Sequence, residues 1–286
     1  MAVPDDVSRE ERRRLAVEAA VAVADALGVG TEHPAVLKDS NNTIVHLAPA
    51  PIVAKVGTSH FREAQLESLE REVAVAAYLA ERKAPAIAPA RGVAPGPHCC
   101  GKLTVTLWQY AEAVGGAALD PREVAAALRG VHEALSDFPG ALPSFSCELE
   151  DARRLLHPDR SPALAAADRS FLLSVLDELQ VALPPLLTSR PVHGSPHSGN
   201  WLRTMDSLLL LDFETACRGP IEWDVAALDE AALHVFSDVN GELIALLRRI
   251  RSACVAAKCW VEPNRAPEVF EAAHVHLKLL RRERLD

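Results

Sequence analysis

Residues 192–215 place His193, Ser195, His197, Asn200, Asp212 and Glu214 in one short span, with the apolar run 208–211 between Asn200 and Asp212. The apolar run has the length and composition of a buried strand. Asn200 and Asp212 therefore stand at two ends of a small strand–turn–strand unit. There an amide oxygen and a carboxylate can converge on one cation. Hard oxygen ligands of this kind suit Mg²⁺, which commonly shares its shell with substrate phosphates.

Phosphate chemistry also calls for a cation of the protein's own. Lys55 lies in the apolar segment 52–56, flanked by Ala54 and Val56. A lysine in such a strand ordinarily faces solvent. The alternative is a lysine held by a helix carboxylate and aimed at nucleotide phosphates. Glu72 lies close enough in sequence for a strand–loop–helix hairpin to bring the two together, and Glu67 competes for that place.

The elements that must position these groups follow from pattern. Segments 36–39, 43–48 and 52–56 read as three short strands of an antiparallel meander. Asn41-Asn42 and Pro49-Ala50-Pro51 form its turns. A helix is expected over 60–83, with Leu66, Leu69, Val73, Ala76, Ala77 and Ala80 as its apolar stripe. Residues 84–98 are rich in Pro and Gly and read as loop or edge structure. Residues 103–110 form a strand, and the small-residue stretch 111–116 after it marks a lobe boundary. Beyond it, 121–187 is mostly helical, with Pro121 in a first turn and a helix over 170–183. Two more helices are expected over 241–256 and 267–281, where His274 and His276 are packing residues. Before all of these, 8–27 reads as a helix with Ser8 as cap and Gly28 as terminator.

The bulk numbers exclude several classes. The chain has 286 residues, is 49% hydrophobic and carries a net charge of −9. That is enough to bury a large core. The acidic balance argues against a nucleic-acid polymer as partner. No run approaches the ~18 apolar residues of a membrane span. The basic start at Arg12–Arg14 is followed by Glu18 and Asp25, which suits an amphipathic helix rather than a signal peptide. Six cysteines without a C-x-x-C pair read as reduced thiols of a cytoplasmic protein.

Five motifs now stand in order. They are Val53-Ala54-Lys55, then Arg71-Glu72 with Leu79, then His193-Gly194-x-x-His197-x-Gly199-Asn200. After these come Leu211-Asp212-Phe213-Glu214 and Gly219-Pro220-x-x-Trp223-Asp224. In this order and spacing the chain resembles the aminoglycoside phosphotransferase/choline kinase-like family, the protein-kinase-like small-molecule phosphotransferases. The resemblance implies an α+β, bilobal protein-kinase-like fold. A small N-terminal antiparallel-sheet lobe (1–110) would bind nucleotide, and a larger, mainly helical C-terminal lobe (111–286) would carry the catalytic loop and acceptor pocket. It implies ATP and Mg²⁺ as cofactors and a small-molecule acceptor, aminoglycoside-like or another amino-alcohol or sugar. Lys55 would contact the phosphates, with Glu72 holding it. Asn200 and Asp212 would bind Mg²⁺. Gln109 to Ala111 would touch adenine, His193 would brace the loop, and Asp224 would anchor the C-terminal lobe.

Two departures from the family pattern stand out. The phosphate-covering loop, Asp39-Ser40-Asn41-Asn42-Thr43, has no glycine. More seriously, Ser195 stands where the family has the Asp that accepts the acceptor's hydroxyl proton. A serine hydroxyl is not a base at neutral pH, and losing a general base typically costs ~10²–10⁴-fold. His197 is a candidate substitute base; the competing reading is that it frames the loop. Two functions follow: a phosphotransferase, or a catalytically impaired pseudokinase of the same fold that binds nucleotide or a small ligand.

Overall fold

The computed structural model describes residues 8–40, 42–58, 62–115, 118–185, 187–236 and 238–283. Asn41, His60 and Gly116, which belong to an expected turn, helix and linker, lie outside the described residues. In chain order the first elements are α1 (Arg9–Ala26), β1 (Thr31–Asp39), β2 (Asn42–Pro49), β3 (Ile52–Gly57) and α2 (Arg62–Glu81). Then come β4 (His98–Cys100), β5 (Leu103–Gln109), α3 (Pro121–Leu135), α4 (Cys147–Leu155), α5 (Ala166–Ala182) and β6 (Arg190–Val192). The chain continues with β7 (Trp201–Arg203), β8 (Leu208–Leu210), β9 (Cys217–Gly219), α6 (Ile221–Val225) and α7 (Glu230–Leu233). It closes with α8 (Gly241–Cys259) and α9 (Pro267–Glu283). Among the described residues no helix is long and apolar enough to cross a membrane.

Two compact units divide the chain. One comprises Met1–Ala141 with Ser198–Ala216; the other comprises Leu142–His197 with Cys217–Asp286. The first unit is built on a five-stranded antiparallel sheet in the order β1-β2-β3-β5-β4. Helix α1 begins at Ser8, whose hydroxyl accepts from the Glu11 N–H, and ends before Gly28 at φ 71°. Its Ala16, Ala19, Ala20, Val23 and Ala24 pack on Val45, Leu47, Ala54, Val56, Val105 and Leu107 of the sheet. Alanines on the helix let the two layers approach closely, and the larger β-branched and leucine side chains of the strands fill the gap.

The structure extends β1 to Thr31, five residues earlier than the expected start at 36. Thr31–Ala35 are mostly exposed and include Pro34, so no alternation announces an edge strand. β4 likewise emerges from the stretch read as loop or edge. In α2 the buried face is Leu69, Glu72, Val75, Ala76 and Leu79, whereas Leu66 is exposed and Val73 only partly covered. The expected stripe is thus turned, and a carboxylate lies on the packed side.

The same unit takes in the β7–β8 hairpin, paired from Trp201↔Leu210 to Arg203↔Leu208. The second unit is mainly helical. Its small sheet pairs β6 with β9, and helices α4 to α9 surround it in sequence. The six cysteines are free thiols.

Candidate active site

The first cluster is centred on Lys55. In β3 it stands opposite Ile44 of β2 and Thr106 of β5. It is only 6% exposed, so the solvent-facing reading of this strand lysine is overturned. Its Nζ donates to Glu72 Oε1 at 2.8 Å and Oε2 at 2.9 Å, and to Asp212 Oδ1 at 2.9 Å. Glu214 Oε1 lies 2.6 Å away. Glu72, 2% exposed, is the partner that α2 supplies; Glu67 is on the exposed side of that helix.

One ammonium against three carboxylates leaves a local charge of −2 when all are ionised. Burial opposes the Lys55 charge, but Asp212, Glu214 and Glu72 together outweigh it and hold its pKa well above the usual lysine value. Burial, with Glu214 and Asp212 adding to it and Lys55 opposing it, pushes the Glu72 carboxyl up to about 8. Ligand oxygens of Glu72, Asp212 and Glu214 lie within 4.8 Å of one another. A donor set of carboxylates with excess negative charge fits a hard divalent cation.

The backbone around these groups is specific. Asp212 adopts φ 67° and ψ 69°, a left-handed conformation that Asp tolerates better than most residues. A short 3₁₀ turn, Phe213–Thr215, follows, with Phe213 fully buried beneath it. This turn carries Glu214 back toward Lys55. Asn42 Nδ2 donates to Glu214 Oε1 at 2.9 Å, and Arg71 donates to the Glu214 carbonyl. Asn200 closes the 3₁₀ turn Ser198–Asn200 and is buried. The Leu211 N–H donates to the Asn200 carbonyl at 2.8 Å, extending the hairpin so that Asn200 and Asp212 sit at its same open end.

Gln109 ends β5. Its N–H donates to the Ala88 carbonyl at 3.0 Å and its Nε2 to the Pro89 carbonyl at 3.3 Å. Ala111 lies two residues on, half-buried, after Tyr110 has stacked on His46 at 4.0 Å.

The second cluster is the 193–197 loop, in the mainly helical unit. β6 delivers a fully buried His193, then Gly194 at φ 90°. The Asp224 carboxylate, 0% exposed, accepts from the His193 N–H at 2.8 Å and the Gly194 N–H at 2.7 Å. Asp224 is therefore no cap for its own helix: α6 has Pro220 at its N-cap and no side-chain cap bond. His193 Nδ1 accepts from the Ser195 N–H at 3.0 Å, so the histidine braces the loop. The His197 N–H donates to the Ser195 carbonyl at 2.9 Å, and the His197 side chain is exposed. Arg251 Nη2 donates to Ser195 Oγ at 3.1 Å.

Of the residues singled out in the sequence, Lys55, Glu72 and Asp212 meet directly, and Asn200 joins them through the hairpin backbone. Two further residues enter the clusters without a role assigned to them from the sequence. Glu214 lay inside the Asp-Phe-Glu motif, two residues past a metal candidate, and that spacing was a usable signal. Arg251, in Arg248-Arg249-Ile250-Arg251, carries none.

The antiparallel-sheet unit and mainly helical unit make up a protein-kinase-like fold of the small-molecule-kinase type. The chain belongs to the phosphotransferase enzyme family, whose family model matches residues 18–253. Amicoumacin kinase hAmiN, solved with AMP-PNP, Ca²⁺ and Ami, superposes with a TM-score of 0.66 at 11% identity, covering 94% of this chain and 95% of that one. Choline kinase LicA from Streptococcus pneumoniae gives 0.63 at 14% identity, over 94% and 99% of the two chains. A choline/ethanolamine kinase family protein from Mesorhizobium loti gives 0.60 at 13% identity, over 92% and 94%. No curated protein sequence matches the chain.

Proposed function

We propose that this chain is an ATP- and Mg²⁺-dependent phosphotransferase acting on a hydroxyl of a small molecule. The acceptor class is aminoglycoside-like, another amino-alcohol or a sugar. The observation that carries the reading is the buried Lys55 ammonium, fixed at 2.8 Å by Glu72 and at 2.9 Å by Asp212. Phosphoryl transfer relies on positioning and charge neutralisation, and a lysine held by a helix carboxylate supplies both.

In this reading the chain works as a nucleotide lobe, 1–110, and an acceptor lobe, 111–286, in the cytoplasm and without a nucleic-acid polymer as partner. Lys55 binds the nucleotide phosphates. Gln109 and Ala111 meet adenine at the end of β5. Asp212 and Asn200 hold Mg²⁺, and Glu214 adds a carboxylate to that set. When bound, the cation neutralises the phosphate charge that Lys55 alone cannot balance. Ser195 and His197 face the acceptor. The bond from the γ-phosphorus to the ADP oxygen breaks, a bond to the acceptor oxygen forms, and the acceptor proton passes to a base or to solvent.

A second reading, the pseudokinase, is favoured by Ser195. Its Oγ already accepts from a guanidinium, which makes it a still poorer proton acceptor. Two measurements test both readings. MgATP is expected to raise the Tm of the protein and to leave that of Asp212→Ala unchanged; no rise, or equal rises, overturns the nucleotide site. Phosphate transfer from ATP is then followed across amino-alcohols, sugars and aminoglycosides, with Ser195→Asp alongside. Turnover only by Ser195→Asp makes the unaltered chain a pseudokinase.

A further inference from the structure

The phosphate-covering hairpin between β1 and β2 has no glycine, and side chains fix its two legs. Asp39 ends β1 opposite Thr43 of β2. Its side chain is only 4% exposed. Oδ1 accepts the Thr43 hydroxyl at 2.9 Å, and Oδ2 accepts Arg9 Nε at 2.9 Å. Arg9 Nη2 also donates to the Asp39 carbonyl at 3.0 Å. One guanidinium therefore grips the side chain and the main chain of a single residue. Two directed bonds from a planar fork fix orientation as well as distance. Arg9 itself is 52% exposed, in the first turn of α1, and the apolar face that packs α1 on the sheet begins only at Leu15.

The second leg leads to the Lys55 cluster. Asn42 stands opposite Gly57 and Ile44 opposite Lys55, so Asn42, Ile44 and Lys55 share one face of the sheet. Thr43, between them, points to the other face and is fully buried. Asn42 Nδ2 donates to Glu214 Oε1 at 2.9 Å, and that oxygen lies 2.6 Å from Lys55 Nζ. The bond from Thr43 to Asp39 thus sets where its neighbour Asn42 stands. A continuous set of contacts runs from Arg9 through Asp39 and the start of β2 to Glu214 and Lys55, all within one compact unit.

We propose that Arg9 and Asp39 are positioning residues for the nucleotide phosphates: through them α1 anchors the hairpin so that Asn42 stays over the Lys55 cluster. Both act through the hairpin rather than on the nucleotide. A ligand-facing loop that is already ordered spares the ligand the entropy of ordering it. Glycine would leave such a turn freer, and here the buried carboxylate and its guanidinium supply the order instead. The proposal rests on the nucleotide reading above. Loss of the pair should loosen what the phosphates meet and leave the base site at the end of β5 as it is.

Titration calorimetry with MgATP and with adenosine, which has no phosphate, tests this. Arg9→Met cuts both bonds at an exposed position. It is expected to bind MgATP about five- to tenfold more weakly, the net effect of about one hydrogen bond, with adenosine unchanged. Asp39→Asn is expected to show the same split, with circular dichroism confirming its fold. The double variant should be no weaker than either single one, because each removes the same linkage. Arg14→Met is the control: it lies on the same helix, its partners there are Glu11 and Glu18, and both ligands should bind it as they bind the unaltered protein. Unchanged MgATP binding by Arg9→Met, equal losses for MgATP and adenosine, or additive losses in the double variant overturns the proposal and leaves the nucleotide reading standing. An unaltered protein that binds no MgATP overturns the nucleotide reading, and the positioning role falls with it.

Discussion

Glu214 Oε1 lies 2.6 Å from Lys55 Nζ while accepting the Asn42 side-chain amide at 2.9 Å. Residues from β2, β3 and the turn after β8 thus share one carboxylate, and Lys55 becomes the common counter-ion of three acids. Its removal should therefore cost more than the loss of any one of them.

Lys55→Met is expected to destabilise the protein by ~3–5 kcal/mol, because it leaves the buried Glu72 carboxylate, with the part-exposed Asp212 and Glu214 beside it, without a cation. Mg²⁺ should restore part of that loss by binding the folded state. Urea denaturation with and without Mg²⁺ reads both effects. A loss no larger than that of Glu72→Gln would show that the acids do not depend on the lysine.

The raised Glu72 carboxyl gives stability a pH dependence. Its value in the folded protein is about 8, against 4.5 ordinarily. The folded state holds the proton that the unfolded chain has released, so this contribution is full below about 4.5 and is lost as pH rises through about 8. Stability measured without divalent cation should fall from pH 6 to pH 8.5. Glu72→Gln should flatten that slope.

Asp224→Ala is expected to cost several kcal/mol. It leaves the buried His193 and Gly194 N–H groups unpaired, and each orphaned donor costs ~1–3 kcal/mol. Chemical denaturation measures the loss. A change below ~1 kcal/mol would mean that water takes the carboxylate's place.

Gly194→Ala tests the backbone of the same loop. At φ 90° a Cβ is strained, and a cost of ~1–3 kcal/mol is expected. Thermal unfolding checks the size.

The thiols should divide by environment. Burial pushes Cys254 up to about 12 and Cys259 up to about 11, so both hold little thiolate at pH 8. Cys99 is exposed. Brief iodoacetamide treatment followed by mass spectrometry should find Cys99 labelled and Cys254 and Cys259 intact.

Much of this architecture was legible in the chain. Ser8, Gly28 and Pro121 announce helix ends because capping and turn chemistry act locally. Lys55, Glu72 and Asp212 could be paired from motif order alone. The α2 face was not legible: its alternating Ala and Val residues make two stripes about equally apolar. Glu72 joins the packed side because Lys55 waits there with a compensating charge. β1 was shortened because an edge strand needs no apolar alternation and tolerates Pro34. Arg251 was invisible because its hydrogen bond to Ser195 spans 56 positions and follows from how α8 packs, not from any local pattern.

The discontinuity of the first unit bears on synthesis. Lys55 and Asp212 are 157 positions apart, and the stretch Ser198–Ala216 that completes the unit follows most of the first half of the other one. A nascent chain that has emerged only through Ala141 holds the five-stranded sheet and Glu72 but neither Asp212 nor Glu214. On the ribosome, the lysine therefore has a single acid for company until Asp212 and Glu214 have been made, and this cluster closes only after residues Leu142–His197 of the other unit have been synthesised.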